Sequence, residues 1–419
     1  MPREERCRIL IVGAGPAGIA AACAAAETVD SVVVLDDNPA AGGQIWRGEE
    51  NRWTARLRVC GARVSNQTRV IAMLDGGRVL AERDGEPLVF RYEKLIIATG
   101  ARELFLPFPG WTLPGVTGVG GLQALVHGGL AIAGRRVVVA GSGPLLLAVA
   151  AHLRERGANI LAIAEQASFR SLLRFGAQLW RTPAKIAQAL ELQWTLRGVL
   201  HLKEAWPIAA HGDGSLREVT LRTRAGARRF ACDYLACGFG LVPNVELAAL
   251  AGCELRDGFV GVDGWQQTTA RDVLCAGEPT GIGGVDRSVV EGRIAGYVAA
   301  GRREKAERLF GERRRLHGFS AALARCFALR EELRHLADDD TIVCRCEDVK
   351  LKSAFEHEGA RAARLHGRCG MGACQGRICG PALRFMLGWA ESSGRARPPL
   401  FPATMNTLAA VGEEESAHV

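Results

Sequence analysis

The sequence predicts an α/β protein carrying two parallel βαβ units, and three observations predict it. Two short apolar runs, 8–12 and 136–140, each lead straight into a glycine-rich turn and an alanine-rich helical stretch. Each helical stretch is followed by a second apolar run ending in an acid, Asp36 in the first case and Glu165 in the second. The composition, with 51 glycines and only 6% aromatic residues, suits many tight strand-to-helix turns. At 419 residues the chain exceeds one ordinary core and divides into domains.

In the first unit, Arg8-Ile9-Leu10-Ile11-Val12 reads as a buried parallel strand. Gly13-Ala14-Gly15-Pro16-Ala17-Gly18 follows at once, and residues 19–27 are strongly helix-forming. Gly13 makes the turn, Gly15 lets the backbone approach a pyrophosphate, and Gly18 lets helix and strand pack closely. Pro16 and Ala17 open the helix, whose unpaired N–H groups and positive end favour phosphate. Asp36, eighteen residues past Gly18, is placed to accept hydrogen bonds from ribose hydroxyls. Strand, triplet, helix, strand and acid together predict a bound dinucleotide.

The second unit follows the same plan, with Gly141-Ser142-Gly143-Pro144-Leu145-Leu146 as its turn. Its third glycine is replaced by Leu146, which is expected to push the helix off the strand and narrow the pyrophosphate approach. A retained fold with a degenerate NAD(P)H site is expected. An adenine nucleotide held without redox turnover stays open, because two glycines and Glu165 persist.

Residues 301–340 turn charged and amphipathic, and Asp338-Asp339-Asp340 closes them as a loop. This stretch reads as a helical connector packed across the first unit. Beyond it come Cys344-x-Cys346, twenty-seven intervening residues, and Cys374-x4-Cys379, with Cys369 as a fifth candidate. Four thiolates in two close pairs suit a small iron–sulfur cluster or a structural zinc, and the spacing alone leaves both open. The other eight of the 13 cysteines are dispersed among apolar neighbours and are expected as buried thiols, Cys237 among them. No Cys-x-x-Cys follows the second unit and no pair lies near 42–47, so disulfide-reductase chemistry lacks its thiols. No general base, nucleophilic triad or other catalytic residue stands out.

The formal charge is +8, yet the arginines are scattered, with a modest cluster at Arg313-Arg314-Arg315. That pattern argues against nucleic acid and for a basic face toward an acidic partner. The apolar run 9–26 behind three arginines mimics a secretory leader, but the glycine triplet explains it better. No stretch is long and clean enough for a transmembrane helix. A cytoplasmic protein is expected, at most peripheral to the inner membrane.

Three further stretches resemble the two-dinucleotide-domain flavoproteins that include thioredoxin and glutathione reductases. They are Gly42-Gly43-Gln44, Ile96-Ile97-Ala98-Thr99-Gly100 and Asp272-Val273-Leu274-Cys275-Ala276-Gly277-Glu278. The resemblance implies two Rossmann-like domains, the second inserted in the first, with FAD in the first. It implies that Gly43, Gln44, Ala98, Thr99 and Gly100 bind the cofactor, that Gly277 and Glu278 approach its ribityl and phosphate, and that the backbone of Val70 meets its adenine. The family usually has Asp where this chain has Glu278. Residues 233–240 and Val242-Pro243-Asn244 resemble the return crossover to the FAD domain.

The stretches 343–349 and 370–380 resemble the bacterioferritin-associated-ferredoxin-type 2Fe-2S domain. That resemblance implies Cys344, Cys346, Cys374 and Cys379 as ligands, since the position of Cys369 is commonly not a cysteine. Arg345, Arg368 and Arg377 nearby would favour the reduced cluster and raise its potential.

Over approximately 5–395 the motifs come in the order of the alpha subunits of heteromeric opine oxidases and D-hydroxyproline or proline dehydrogenases, related to the hydrogen cyanide synthase subunit. The domains expected are 1–125 (FAD, first part), 126–236 (inserted NAD(P)-like), 237–300 (FAD, second part), 301–340 (connector), 341–395 (2Fe-2S) and 396–419 (tail). The resemblance implies an electron-transfer subunit whose partner, a glycine-oxidase-like flavoprotein β subunit, oxidises the C–N bond. It also implies a small ferredoxin-like subunit, and FMN at the subunit interface or an adenine nucleotide in the second domain, as further candidates. Two alternatives stand beside it. One is a self-contained NAD(P)H-dependent flavoprotein reductase using its own cluster, and the other is an iron-sensing module with a structural cluster.

Overall fold

The computed structural model describes residues 2–46, 49–178, 183–389 and 396–416. The expected end of the cluster domain at 395 and the last three residues of the tail lie outside them. The chain forms two compact units, Met1–Arg102 with Pro243–Ser320 and Gly394–Val419, and Glu103–Val242 with Ala321–Ser393. The second unit therefore takes in more chain than 126–236. The strand Val116–Gly118 pairs in parallel with Tyr234–Gly238, which draws that segment into the second unit's sheet. The expected connector 301–340 is divided at Ser320.

In the first unit the strand Arg3–Val12 lies between Val32–Leu35 and Glu86–Ile97, parallel to both. Arg63–Ser65 extends the sheet on one side, and Val273–Cys275 pairs with the C-terminal half of Glu86–Ile97 on the other. The N-terminal half of Glu86–Ile97 continues antiparallel into Arg78–Arg83 and then Thr68–Leu74. Residues 9–12 are buried on both faces, which is why they read as an unbroken apolar run. Ile9, Ile11, Val34 and Ile96 pack with the helix Pro16–Ala25 on one side, and Leu10, Val12, Leu35 and Ile97 form a separate core on the other. The helix Gly284–Ala299 lies on Pro16–Ala25 so closely that a Cβ on Gly292 would fall 2.1 Å from the Ala17 carbonyl oxygen.

The second unit has a five-stranded parallel sheet in the order Leu200–Lys203, Asn159–Glu165, Arg136–Gly141, Tyr234–Gly238, Val116–Gly118. A three-stranded antiparallel sheet, Trp206–His211, Glu218–Thr223 and Gly226–Ala231, shares a core with one face through Trp206, Val219 and Leu221. The cysteine-rich region is small: a hairpin of Ile342–Cys344 and Val349–Lys350, then helices Leu351–Phe355, Gly359–Gly367 and Cys379–Leu387. Trp111 donates its indole N–H to the Ile342 carbonyl at 2.6 Å, tying the hairpin to the rest of the unit. Among the described residues no helix is long and apolar enough to cross a membrane.

Candidate cofactor-binding sites

The first glycine turn has a steric reason for each glycine. Gly13 has φ +105°, and a Cβ there would lie 2.3 Å from the Ala98 carbonyl oxygen. A Cβ on Gly18 would lie 1.8 Å from the Gly13 carbonyl oxygen, so only glycine lets helix and strand approach this far. Gly15 differs: the nearest atom to its virtual Cβ is the Gly43 Cα at 3.9 Å, and its other side is open. That opening, at the start of a ten-residue helix with Pro16 in its first turn, fits a pyrophosphate on free N–H groups.

Asp36 is 5% exposed. It accepts the Ala14 N–H at 2.5 Å through one oxygen and the Asn38 backbone and side-chain N–H groups at 2.8 and 2.7 Å through the other. The carboxylate thus holds the turn together. Its backbone carbonyl accepts the Thr68 N–H at 2.9 Å, which brings the strand carrying buried Val70 beside it. Gly43 stands against Gly15, whereas Gln44 is exposed.

The strand end Ala98-Thr99-Gly100 is fastened to the returning chain. Thr99 donates its hydroxyl to the Asn244 carbonyl at 2.6 Å, and the Asn244 side-chain amide donates to the Thr99 carbonyl at 2.9 Å. Gly277 has φ +84° and lies against Ala17, and Glu278 follows it. The Glu278 carboxylate accepts the N–H groups of Gly283 and Gly284 at 3.2 and 2.9 Å, capping the helix Gly284–Ala299. Burial holds that carboxyl above its ordinary range, against the pull of those two amides. The extra methylene over Asp is what allows the reach to the helix start.

Sequence reasoning missed the group beneath this loop. Glu291 is 1% exposed and accepts from Gly277 N–H (3.0 Å), the Thr280 hydroxyl (2.8 Å), Arg287 Nε (2.7 Å) and His317 Nε2 (2.8 Å). Burial works to raise its pKa, but the His317 and Arg287 contacts outweigh it and hold the carboxyl below the usual range. A signal was available: Arg287 and Glu291 sit four apart in a helical run, the spacing at which an opposite-charge pair shares one face.

At the second glycine turn, Leu146 is 1% exposed and packs with Val119, Val149 and Ile163. Glu165 accepts the Gly143 and Ala167 N–H groups at 2.7 and 2.8 Å, and burial pushes its carboxyl up to about 7. The turn is also tied to the chain's own backbone. The Ser142 hydroxyl donates to the Phe327 carbonyl at 3.1 Å, and the fully buried Gln166 donates to the Ser142 hydroxyl (2.9 Å) and the Ala328 carbonyl (3.1 Å). The Arg330 N–H closes the arrangement on the Gln166 side-chain Oε1 at 3.3 Å.

The five C-terminal cysteines fall into two sets. The Sγ atoms of Cys344, Cys369 and Cys379 lie within 4.8 Å of one another, all buried. Cys346 is exposed and Cys374 half-buried, and neither belongs to that buried set. Hydrogen bonds among the three hold the Cys344 thiol below its ordinary range and those of Cys369 and Cys379 above it. The donor set fits a sulfur-ligated metal centre, with one thiol more than four ligands require. Of the eight dispersed cysteines, seven are buried, and burial pushes Cys237 well above its ordinary value. Cys60 departs from that expectation: it is half-exposed just past the helix Arg52–Val59, and the Cys23 thiol pulls it down to about 6.

Comparison with known proteins places these features. Residues 7–302 match the pyridine nucleotide-disulphide oxidoreductase family. The opine oxidase A subunit of Rhizobium meliloti (strain 1021) is 32% identical, over 96% of this chain and 98% of its own length. Hydrogen cyanide synthase subunit HcnB of Pseudomonas aeruginosa is 31% identical, over 89% of this chain and 90% of its own. Among solved structures, L-proline dehydrogenase from P. horikoshii shares the fold with a TM-score of 0.66, at 18% identity over 97% of this chain and 80% of that one. Thioredoxin reductase from T. acidophilum gives 0.54, at 20% identity over 71% of this chain and 98% of that one.

Proposed function

The chain belongs to the pyridine nucleotide-disulphide oxidoreductase family, and from that premise we propose that it is the electron-transfer subunit of a heteromeric amino-acid, imino-acid or opine dehydrogenase or oxidase. It is an FAD-dependent oxidoreductase of the type that includes HcnB and the opine oxidase A subunit. In the proposed complex a partner flavoprotein subunit oxidises the C–N bond, and this chain carries the electrons onward in the cytoplasm. The turn 13–18 with Asp36, Gly43, Gln44, Val70, Ala98, Thr99, Gly100, Gly277 and Glu278 would hold FAD. Cysteines 344, 346, 374 and 379 would hold a 2Fe-2S cluster. Bound flavin exchanges electrons in pairs and such a cluster passes them singly, which together join a two-electron oxidation to a one-electron acceptor.

One observation carries this reading. Ser142 and Gln166, at the second glycine turn, are hydrogen-bonded to the chain's own backbone at 327–330. Two side chains at the turn are thus engaged by the chain itself, and Leu146 fills the position of the third glycine, which disfavours a nicotinamide dinucleotide there. This favours reducing equivalents arriving from another protein. No protein base beside a substrate pocket is required of this chain, in keeping with that division of labour.

The test is anaerobic stopped-flow spectroscopy on the chain alone and with its natively co-purified partner. NADH, NADPH, proline, hydroxyproline and opines are mixed in turn while flavin and cluster absorbance are followed. Bleaching is expected only when partner and an amine substrate are both present. Rapid reduction of the lone chain by either nicotinamide would sink the proposal.

A further inference from the structure

We propose that Cys369 is a spare sulfur ligand for the buried iron of the cysteine centre, able to replace Cys344 or Cys379 there. The inference rests on the iron–sulfur reading above and departs from its four-cysteine set.

A two-iron cluster needs two thiolates on each iron. The five thiols are already sorted in that sense. Cys346 and Cys374, the two more accessible thiols, lie outside the buried set and are left to serve an outer iron. The inner iron then faces not two thiols but three, Cys344, Cys369 and Cys379, mutually within 4.8 Å. Sulfurs sharing one tetrahedral metal stand about 3.8 Å apart, as metal–sulfur bonds of about 2.3 Å require. Any two of the three therefore reach that spacing through small side-chain rotations, so geometry does not single out one pair.

Cys369 is not at this place by the accident of a flexible loop. Arg368 (φ +58°) and Gly370 (φ +82°) flank it in the left-handed region, which turns its side chain inward. Its N–H is anchored on the Ala363 carbonyl at 3.1 Å, and the next N–H, that of Gly370, donates to Cys344 Sγ at 3.3 Å. Arg364 donates to the carbonyls of both Gly370 and Gln375, each at 3.2 Å. One guanidinium thus ties the loop of Cys369 to the loop leading into Cys379. Exchange at the inner iron is a simple substitution: Cys369 gives up its thiol proton to solvent and binds as thiolate, no electron is transferred, and the displaced sulfur takes up a proton.

The expected behaviour is asymmetric. The full-length chain is expressed with its partner as the variants C374S, C379S, C344S, C369S and C369S/C379S. Iron and acid-labile sulfide per chain are measured alongside the EPR spectrum of the dithionite-reduced protein, and flavin content reports folding. C374S should lose the cluster at least about 10-fold, because the outer iron has no reserve. C379S and C344S should each keep more than half the wild-type iron and sulfide with shifted g values. C369S should match wild type, and C369S/C379S should be as empty as C374S. Equal loss in C379S, C344S and C374S, at wild-type flavin content, overturns the role of Cys369. A wild-type chain holding zinc and no sulfide instead overturns the iron–sulfur reading itself, a result distinct from the first.

Discussion

Gly15 and Gly18 lack the same atom for different ends. At Gly18 the missing Cβ would collide with the protein's own backbone, 1.8 Å from the Gly13 carbonyl oxygen. At Gly15 it would meet nothing nearer than 3.9 Å, and φ is −78°, so the protein itself tolerates alanine there. Gly15→Ala should leave the melting temperature of the flavin-free protein unchanged but weaken FAD binding at least about 10-fold, about 1.4 kcal/mol. Gly18→Ala should lower that melting temperature as well, with an overpacking cost of about 1–3 kcal/mol. Thermal melts with flavin fluorescence titrations check both, and a Gly15→Ala chain binding FAD like wild type would contradict close cofactor approach at that turn. Both glycines were legible because the whole argument lies within six residues. Glu291 was not, because its value depends on His317 and on the Gly277 loop meeting it.

At the level of the βαβ element, the two units solve one problem with acids of different length. Asp36 reaches the middle of its turn, at Ala14, while Glu165, one methylene longer, reaches one position further to Gly143. Desolvation of the longer, half-buried acid raises its pKa to about 7 from 4.5 ordinarily. Its folded-state pKa is raised, so its stabilising contribution is complete below about pH 4.5 and is lost as pH rises through 7. The second unit should lose up to about 3 kcal/mol across that window. Urea denaturation between pH 5 and pH 8 should register the loss, and Glu165→Gln, which cannot titrate, should flatten it. An unchanged slope in the variant would assign the pH dependence elsewhere. The strand, turn, helix and acid were all readable from local pattern. The tie between the turn and 327–330 was not, since Ser142 and Phe327 are brought together by tertiary packing alone.

For the whole molecule, 53 basic against 45 acidic residues leave a formal charge of +8, which favours an acidic partner surface. Association with the co-purified partner should therefore slow about tenfold between about 20 and about 300 mM salt, mainly in the on-rate. Surface-immobilised binding kinetics at several ionic strengths would measure it, and a salt-independent on-rate would mean the basic surplus plays no part in docking.

What the sequence determined by itself was whatever chemistry lies in one continuous stretch. The glycine turns, their acids, the α/β class, the bunched cysteines and the family resemblance all belong there, because turn sterics and strand periodicity act over a few residues. Tertiary structure alone decided how five cysteines divide into a buried triad and two more accessible thiols, which segment hydrogen-bonds the second turn, and that buried Glu291, paired with buried Arg287 and the more exposed His317, underpins the Gly277 loop. Each of these depends on residues distant in sequence sharing one low-dielectric pocket, where burial and hydrogen bonding set their ionisation. Spacing along the chain carries no record of that environment.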